Sequence, residues 1–585
     1  MLESARVLKN LPGLPEVRLG RAEDYFQRLE QRLNGTDLPV WDGELYLEYH
    51  RGTYTSQAYN KRANRRAEVL YHDAEWLSTL AALLTENFHY PNEELREGWE
   101  LILLNQFHDI LPGSSIRQVY EDSREQYATV NRIGEGVMEE AGRRLLSGIA
   151  SGQDSLVVFN PLSWERSEVI ELPWSAEIEG KTILNPSGCP SPVQIVDREG
   201  EPRILVEADD VPSLGYRSYP LVPAEPAEEP EEGGLKVTSD TLENRYYRIR
   251  LNERGKLISL CDKENQREVI SPGSRANVFQ AFEDKPMAFD AWDIDIYYQE
   301  KGREIDDLVE ARVEEAGPLR AVLLLRWRFY DSEIAQRFIL YRNSRRIDFR
   351  TEVDWHEQQV LLKVAFPVAV RSTRATYDIQ FGSIERPTHW NTSWDLARFE
   401  TVGHKWADLS EGNYGVGLLN DCKYGHDVKN NVIRLTLIKS AIKPDEQADQ
   451  GKHEFVYSLL PHAGEWRDGQ LVPEAYALNY PLLNGYLPGG QPGSLPQTYR
   501  LAEVDADNVI VETVKKAEQE DAWIVRLYEY KQSRSNAVTL SFGKAIRKAV
   551  ECNLVEEEDR PVETQGSSLQ FPILPYEIKT FKVWF

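Results

Sequence analysis

Cysteine is scarce: four occur in 585 residues, at Cys189, Cys261, Cys422 and Cys552. They are far apart and in no CxxC or Cys/His spacing, which argues against a disulfide framework and a structural zinc cluster. Long apolar runs are missing as well. None reaches the roughly 18 residues of a membrane span, and the opening MLESARVLKNLPGLPEV lacks the charged-then-apolar order of a secretory leader. There is no HExxH, no GxSxG, no GxxxxGKS, no dinucleotide fingerprint and no internal repeat, so no self-sufficient site declares itself. Positive charge is in deficit: 68 Lys plus Arg stand against 95 Asp plus Glu, a net charge of −27. With no local basic patch, that balance repels phosphate backbones and excludes nucleic acid as a partner. These absences describe a soluble, cytoplasmic protein without membrane contact, in which the sequons at Asn34 and Asn391 are chance matches.

What is present is a chain that is 41% hydrophobic and carries 14 Trp and 28 Tyr. Its length suggests roughly three to five domains. Flat amphipathic rings fill β-sandwich cores and also cover sugars. The reading is a multidomain, α-then-β chain: a three-helix bundle followed by antiparallel β-sandwich domains. Over residues 57–84, Ala63, Ala67, Leu70, Ala74, Leu77, Leu80 and Leu84 recur at the three-four spacing of a buried helical stripe. A second helix should follow Pro91-Asn92, with Leu95, Trp99, Leu103 and Phe107 inward, and stop near Ile110 before Leu111-Pro112-Gly113. Ser114-Ser115 can cap a third, with Ile116, Val119, Tyr120, Tyr127, Val130, Ile133 and Val137 on one face, running to about Ile149. Three long antiparallel helices make a bundle.

After Ser151-Gly152 the pattern turns to β. The expected divisions are 1–40, a segment before the bundle; 41–151, the bundle; 152–222, a small β domain; 223–234, a linker (PAEPAEEPEEGG) too charged and Pro-rich to bury anything; 235–487, a large β-sandwich; and 488–585, a last β domain. Residues 246–251 and 256–260 flank Asn252-Glu253-Arg254-Gly255, a hairpin signal. Ile347, Phe349, Thr351, Val353 and Trp355 alternate with charged residues at the period of a strand. Further strands are expected at 509–514, 523–530, 537–542 and 576–585. The succession of strands without helical crossovers indicates antiparallel sandwiches.

Three polar clusters sit in apolar context. In the first, residues 103–115 (LLNQFHDILPGSS), a His-Asp pair ends a helix just before a Pro-Gly break. His108 there can ligate a metal through neutral imidazole while Asp109 accepts from a substrate hydroxyl, or His108 packs and Asp109 is solvated. Zinc usually takes three or four protein ligands, so one His is not a metal site. In the second, residues 44–57 (ELYLEYHRGTYTSQ), Gly52 permits close backbone approach and Thr55 or Ser56 caps the next helix, or the segment only turns the chain. The third, from Phe282-Glu283-Asp284 to DAWDID at 290–295, alternates carboxylates with aromatics and is either a sugar-binding rim or a solvated loop.

These clusters, with HKWADLSE at 404–411, LLNDCKYG at 418–425 and ILPYEIKT at 573–580, resemble in order the family 38 glycoside hydrolases, the retaining α-mannosidases, in their bacterial and cytosolic branch. The resemblance spans almost the whole chain. It implies an enzyme built from a β/α barrel, a three-helix bundle and a large β region. A divalent metal, zinc or cobalt in its place, sits at the barrel–bundle junction, holds vicinal sugar hydroxyls and favours distortion of the cleaved unit. By the same resemblance His108 is a metal ligand and Asp109 a substrate contact. His50, Arg51, Tyr54, Asp290 and Asp293 are further substrate contacts, and Lys439 lies near a position where some relatives carry a sugar-contacting Arg. The chain matches from the end of the barrel onward. Retention requires two carboxyl groups about 5–5.5 Å apart, and neither the nucleophile nor the acid/base maps onto this chain. The expectation is therefore a portion of such an enzyme that alone neither binds zinc tightly nor cleaves mannosides. Its partners would be a mannose-containing oligosaccharide and a barrel supplied in cis or in trans, in a homo-oligomer. The alternative is a free-standing, non-catalytic carbohydrate-binding or scaffold protein.

Overall fold

A computed structural model describes residues 2–13, 15, 17–198, 200–224, 234–557 and 559–585. Most of the expected linker, 225–233, lies outside them. Two compact units are present, 1–47 and 48–585. The first holds α1 (Leu2–Leu8) and α2 (Ala22–Leu33), neither of which buries a residue.

The second unit begins with a helical layer: α3 (Ala58–Leu84), α4 (Asn92–Asn105) and α5 (Arg117–Gly148). They share a core of Ala67, Tyr71, Ala74, Leu95, Ile102, Tyr127, Val130 and Val137, the three-four stripes expected of amphipathic helices. Gly98 is buried under the Tyr71 ring, whose hydroxyl lies 1.7 Å from where a Cβ would stand. Only glycine lets α4 come this close to α3.

Three expectations for these helices fail. α4 ends at Asn105, not near Ile110, because Gln106 N–H bonds back to the Ile102 and Leu103 carbonyls and closes the last turn. Leu103 and Phe107, expected inward, are 60% and 55% exposed, and Ile116, expected on the inner face of the third helix, is 59% exposed at the N-cap position before α5. The inward stripe is Leu95, Gly98, Ile102 and Asn105, and four-residue steps from Leu95 drift off that face. Ser114 and Ser115 do not cap α5. The Ser115 hydroxyl donates to the Asp109 carbonyl at 2.6 Å, and the N-cap position falls to Ile116, without a side-chain bond.

All sheet pairings are antiparallel. The largest sheet has nine strands, running from Asp307–Ala316 at one edge through Ile347–Trp355 and Gly451–Ala463 to Gly382–Pro387. A six-stranded sheet with Val360–Pro367 and Val432–Lys439 at its centre shares a core with it, including Phe338, Phe349, Val364, Phe366, Leu435 and Tyr457. The hairpin expected at 252–255 joins Tyr247–Leu251 to Leu257–Asp262, with Gly255 at φ +75°.

The final β region, with strands Val509–Lys516, Trp523–Glu529, Ser535–Phe542 and Ile578–Trp584, shares a core with Trp76, Leu77 and Leu80 of α3 and Ala141 and Leu145 of α5. Leu483–Leu487 pairs with Ser155–Asn160, and Thr498–Arg500 pairs with Gly215–Pro223. Strands on both sides of the LPGGQPGSLP break therefore return to one sheet. The four cysteines are free thiols. No helix among the described residues is long and apolar enough to cross a membrane.

Candidate functional site

The segment before α3 is pinned by backbone contacts that leave no room for side chains. Gly52 N–H donates to the Trp292 carbonyl at 2.7 Å. A Cβ on Gly52 would meet Lys439 Cε at 2.5 Å and the Ala291 carbonyl oxygen at 3.0 Å. Ser56 Oγ donates to that same Ala291 carbonyl at 2.6 Å. The loop containing DAWDID therefore lies directly against GTYTS, although more than 200 residues separate them.

The segment with His108 and Asp109 docks on the other side of the same backbone. Gly113, at φ +87°, sits where a Cβ would fall 2.3 Å from the Ser56 carbonyl oxygen. Lys61 bridges the two: its ammonium donates to the Ser56 carbonyl at 2.5 Å and to the Leu111 carbonyl at 2.9 Å. Burial drives the Lys61 amine down to about 7, with Asp449 opposing and Lys423 adding to the shift.

α3 begins without a cap from its own segment. Gln57, expected inside a Thr55 or Ser56 cap, is at φ +59° with no side-chain cap bond. Instead the Asp449 carboxylate accepts from the Gln57 and Ala58 N–H groups at 2.9 and 2.7 Å, and Asp445 accepts from the Gln57 amide at 2.8 Å. A carboxylate at a helix N-terminus meets both orphan donors and the positive end of the dipole.

The residues singled out by sequence fall into two groups. His108 and Asp109 are exposed, with side chains 76% and 51% accessible, and His108 Nε2 lies 3.2 Å from Asp109 Oδ2. The Asp109 carbonyl is held by Ser115, which fixes the turn that presents the pair. His50, half-buried, has its Nδ1 buried without a hydrogen-bond partner among the described residues. Tyr54 lies beside it on the same loop.

The second group faces inward. Arg51 is buried: it donates twice to the Ala397 carbonyl, at 2.8 and 3.1 Å, pairs with Asp293 at 3.3 Å and lies over the Phe399 ring. Burial raises the Asp293 carboxyl, against the pull of the Ile294 N–H and Arg51. Asp290 accepts from Ile442 N–H at 2.6 Å through one oxygen, and its other oxygen is buried without a partner among the described residues. Behind them Lys439 and Asp284 form an ion pair with both side chains buried. Lys61 and Asp449 were not singled out from the sequence, and Asp284 was named only as part of the third cluster. Their polar identity in an apolar neighbourhood was visible, but their partners were not.

His108 and Asp109 do not amount to a metal centre. No group of three or more His, Cys, Asp or Glu side chains able to hold an ion occurs among the described residues, and zinc takes three or four protein ligands. This chain's residues by themselves do not fit a tightly bound metal.

Comparison with known proteins aligns with this layout. Residues 48–145 match the alpha mannosidase middle domain, 242–447 the glycosyl hydrolases family 38 C-terminal domain, and 508–581 the family 38 C-terminal beta sandwich domain. The chain is 37% identical to alpha-mannosidase 2C1 of Homo sapiens, over 99% of this chain and 54% of that protein. It is 35% identical to alpha-mannosidase G of Dictyostelium discoideum, over 100% of this chain and 56% of that one. It thus spans about half the length of the curated relatives it matches. The solved structure of an alpha-mannosidase from Enterococcus faecalis V583 shares the fold, with a TM-score of 0.80 at 18% identity, over 99% of this chain and 73% of that one.

Proposed function

We propose that this chain, which belongs to glycosyl hydrolase family 38, forms the bundle and β-sandwich portion of a cytoplasmic, retaining α-mannosidase acting on mannose-containing oligosaccharides. A barrel domain, in cis or in trans, supplies the nucleophile and acid/base. α3, α4 and α5 serve as its three-helix bundle. His108 offers one ligand to a divalent ion, zinc or cobalt, whose others come from the barrel; the ion's chemistry is to hold the sugar's hydroxyls. Asp109 accepts from a sugar hydroxyl, while His50 and Tyr54 approach the sugar from the neighbouring loop. Arg51, Asp290 and Asp293 hold that loop in place, and any contact they make with sugar is at the loop's edge. The working assembly is a homo-oligomer.

One observation carries this reading over a free-standing binding protein. Beside the exposed His108 and Asp109, the apolar side chains Leu103, Leu104, Phe107 and Ile116 are 50–60% exposed. A surface that had evolved to face water would be polar here, and an apolar rim around a functional pair calls for a covering domain. The relatives' additional length is of the size to provide one.

The test is release of 4-nitrophenol from its α-mannoside with added zinc or cobalt, by this chain alone and mixed with a polypeptide carrying a family 38 barrel. Activity in the mixture only, lost with His108→Ala and Asp109→Asn, is expected. Turnover by the chain alone, or unchanged activity in the His108→Ala mixture, would overturn the reading.

A further inference from the structure

Between α3 and the β region lies a cleft of about 570 Å³, within the roughly 300–1,000 Å³ of small-molecule sites. Tyr480, Tyr476, Tyr528, Tyr424 and Trp99 contribute to its walls. We propose that this cleft binds a neutral carbohydrate of one or two sugar units.

The polar groups are arranged for hydroxyls. The Tyr476 hydroxyl donates to Glu512 at 2.8 Å and lies 2.8 Å from the Tyr528 hydroxyl. The Trp99 indole N–H donates to Glu75 at 2.9 Å, which leaves that carboxylate its second oxygen. The Tyr480 side chain, 5% exposed, lines the cleft beside them. Buried and half-buried rings beside carboxylates suit a ligand with apolar C–H faces and a rim of hydroxyls.

Charge argues against an anion, and the occupied aromatic face against a cation. Glu68, Glu75, Asp378 and Glu512 outnumber Arg65 and Lys405 in the lining, so an anion is repelled. Arg65 is already engaged by Tyr424 at 3.1 Å and Asn479 at 3.0 Å. A cation would seek an aromatic face, but Lys405 Nζ already lies 4.5 Å from the Tyr476 ring centroid. Burial, with Arg65 and Lys405 nearby, holds His404 well below its usual value and therefore neutral.

The cleft uses neither His108 nor Asp109, so failure of the mannosidase reconstitution leaves this assignment standing. The probes are methyl α-mannoside, an α-linked mannobiose, maltose and cellobiose, titrated calorimetrically into the unmodified chain, with spermidine and inorganic phosphate as contrasting ligands. Hydrogen exchange on the same chain locates the binding. At least one sugar should bind and protect segments 64–75, 404–406 and 476–480. Glu512→Gln and Glu75→Gln should each weaken it about tenfold, by replacing a charged acceptor of a sugar hydroxyl with a neutral one. Absence of binding by every sugar, protection elsewhere, unchanged affinity in both variants, or spermidine or phosphate binding in preference would each overturn the assignment.

Discussion

Lys61, in the first turn of α3, donates its buried ammonium to the carbonyl of Leu111 at 2.9 Å, two residues beyond Asp109. The same ammonium holds the Ser56 carbonyl, so one side chain ties the loop of His50 and Tyr54 to the turn of His108 and Asp109. Its amine falls from 10.5 to about 7 in the folded chain, chiefly because burial disfavours the charge. Between about 7 and 10.5 the unfolded chain holds a proton that the folded chain has released, so this residue's contribution to stability rises with pH across that window and falls as pH drops through it. The chain should gain stability relative to its Lys61→Met variant from pH 7 to pH 10, read as urea midpoints at both pH values. A difference flat in pH would remove the buried-ammonium account.

Asp449 caps α3 from 391 residues away in sequence. Replacing it with alanine strands the Gln57 and Ala58 N–H groups at the helix start, at a cost of roughly 1–2 kcal/mol. Asp449→Asn keeps an acceptor and should cost less. Denaturant midpoints order the three proteins, and equal midpoints for all three would show that the carboxylate does not cap the helix.

Arg51 and Asp293 form the hinge between the GTYTS backbone and the DAWDID loop. Removing the carboxylate with Asp293→Ala takes away the nearer of two carboxylates from a buried guanidinium, leaving Glu48 at 3.9 Å and the Ala397 carbonyl, and costs roughly 1–3 kcal/mol. Arg51→Lys should also destabilise, since an ammonium cannot reproduce the fork that grips Ala397 with two nitrogens while reaching Asp293. Thermal melts of both variants check this, and a loss confined to activity in the reconstituted mixture would instead mark the pair as sugar contacts.

The sequence was legible where the signal is local. The Asn252–Gly255 hairpin, the alternation of Ile347–Trp355 and the start of α3 within a residue all follow from turn chemistry and period. It was not legible where polar residues are buried by distant partners. Asn60, Lys61, Asn64 and Arg65 occupy what a three-four pattern reads as the wet face of α3, yet all four are buried, against Ser123, Leu111, Gln106 and Tyr424. Gly52 could be read as a place of close approach, but nothing local says that Trp292 and Lys439 are what approaches. The exposed side of α4 carries the same lesson in reverse: Leu103 and Phe107 have the composition of a core and the position of a surface.

His108 is the residue whose role separates the chain from the assembled enzyme. Its side chain is 76% exposed and touches only neighbours in the same turn, so His108→Ala should move stability by less than about 0.5 kcal/mol, the range of surface substitutions. With no group of three ligands around His108 among the described residues, the chain alone should take up zinc weakly and without defined stoichiometry, and a chelator should leave its melting temperature unchanged. When the barrel polypeptide is added, one zinc per complex should be retained through gel filtration by the unmodified chain and lost with His108→Ala. Zinc held stoichiometrically by this chain alone would mean that ligands other than His108 and Asp109 assemble here, and that the barrel is not needed to complete the metal site.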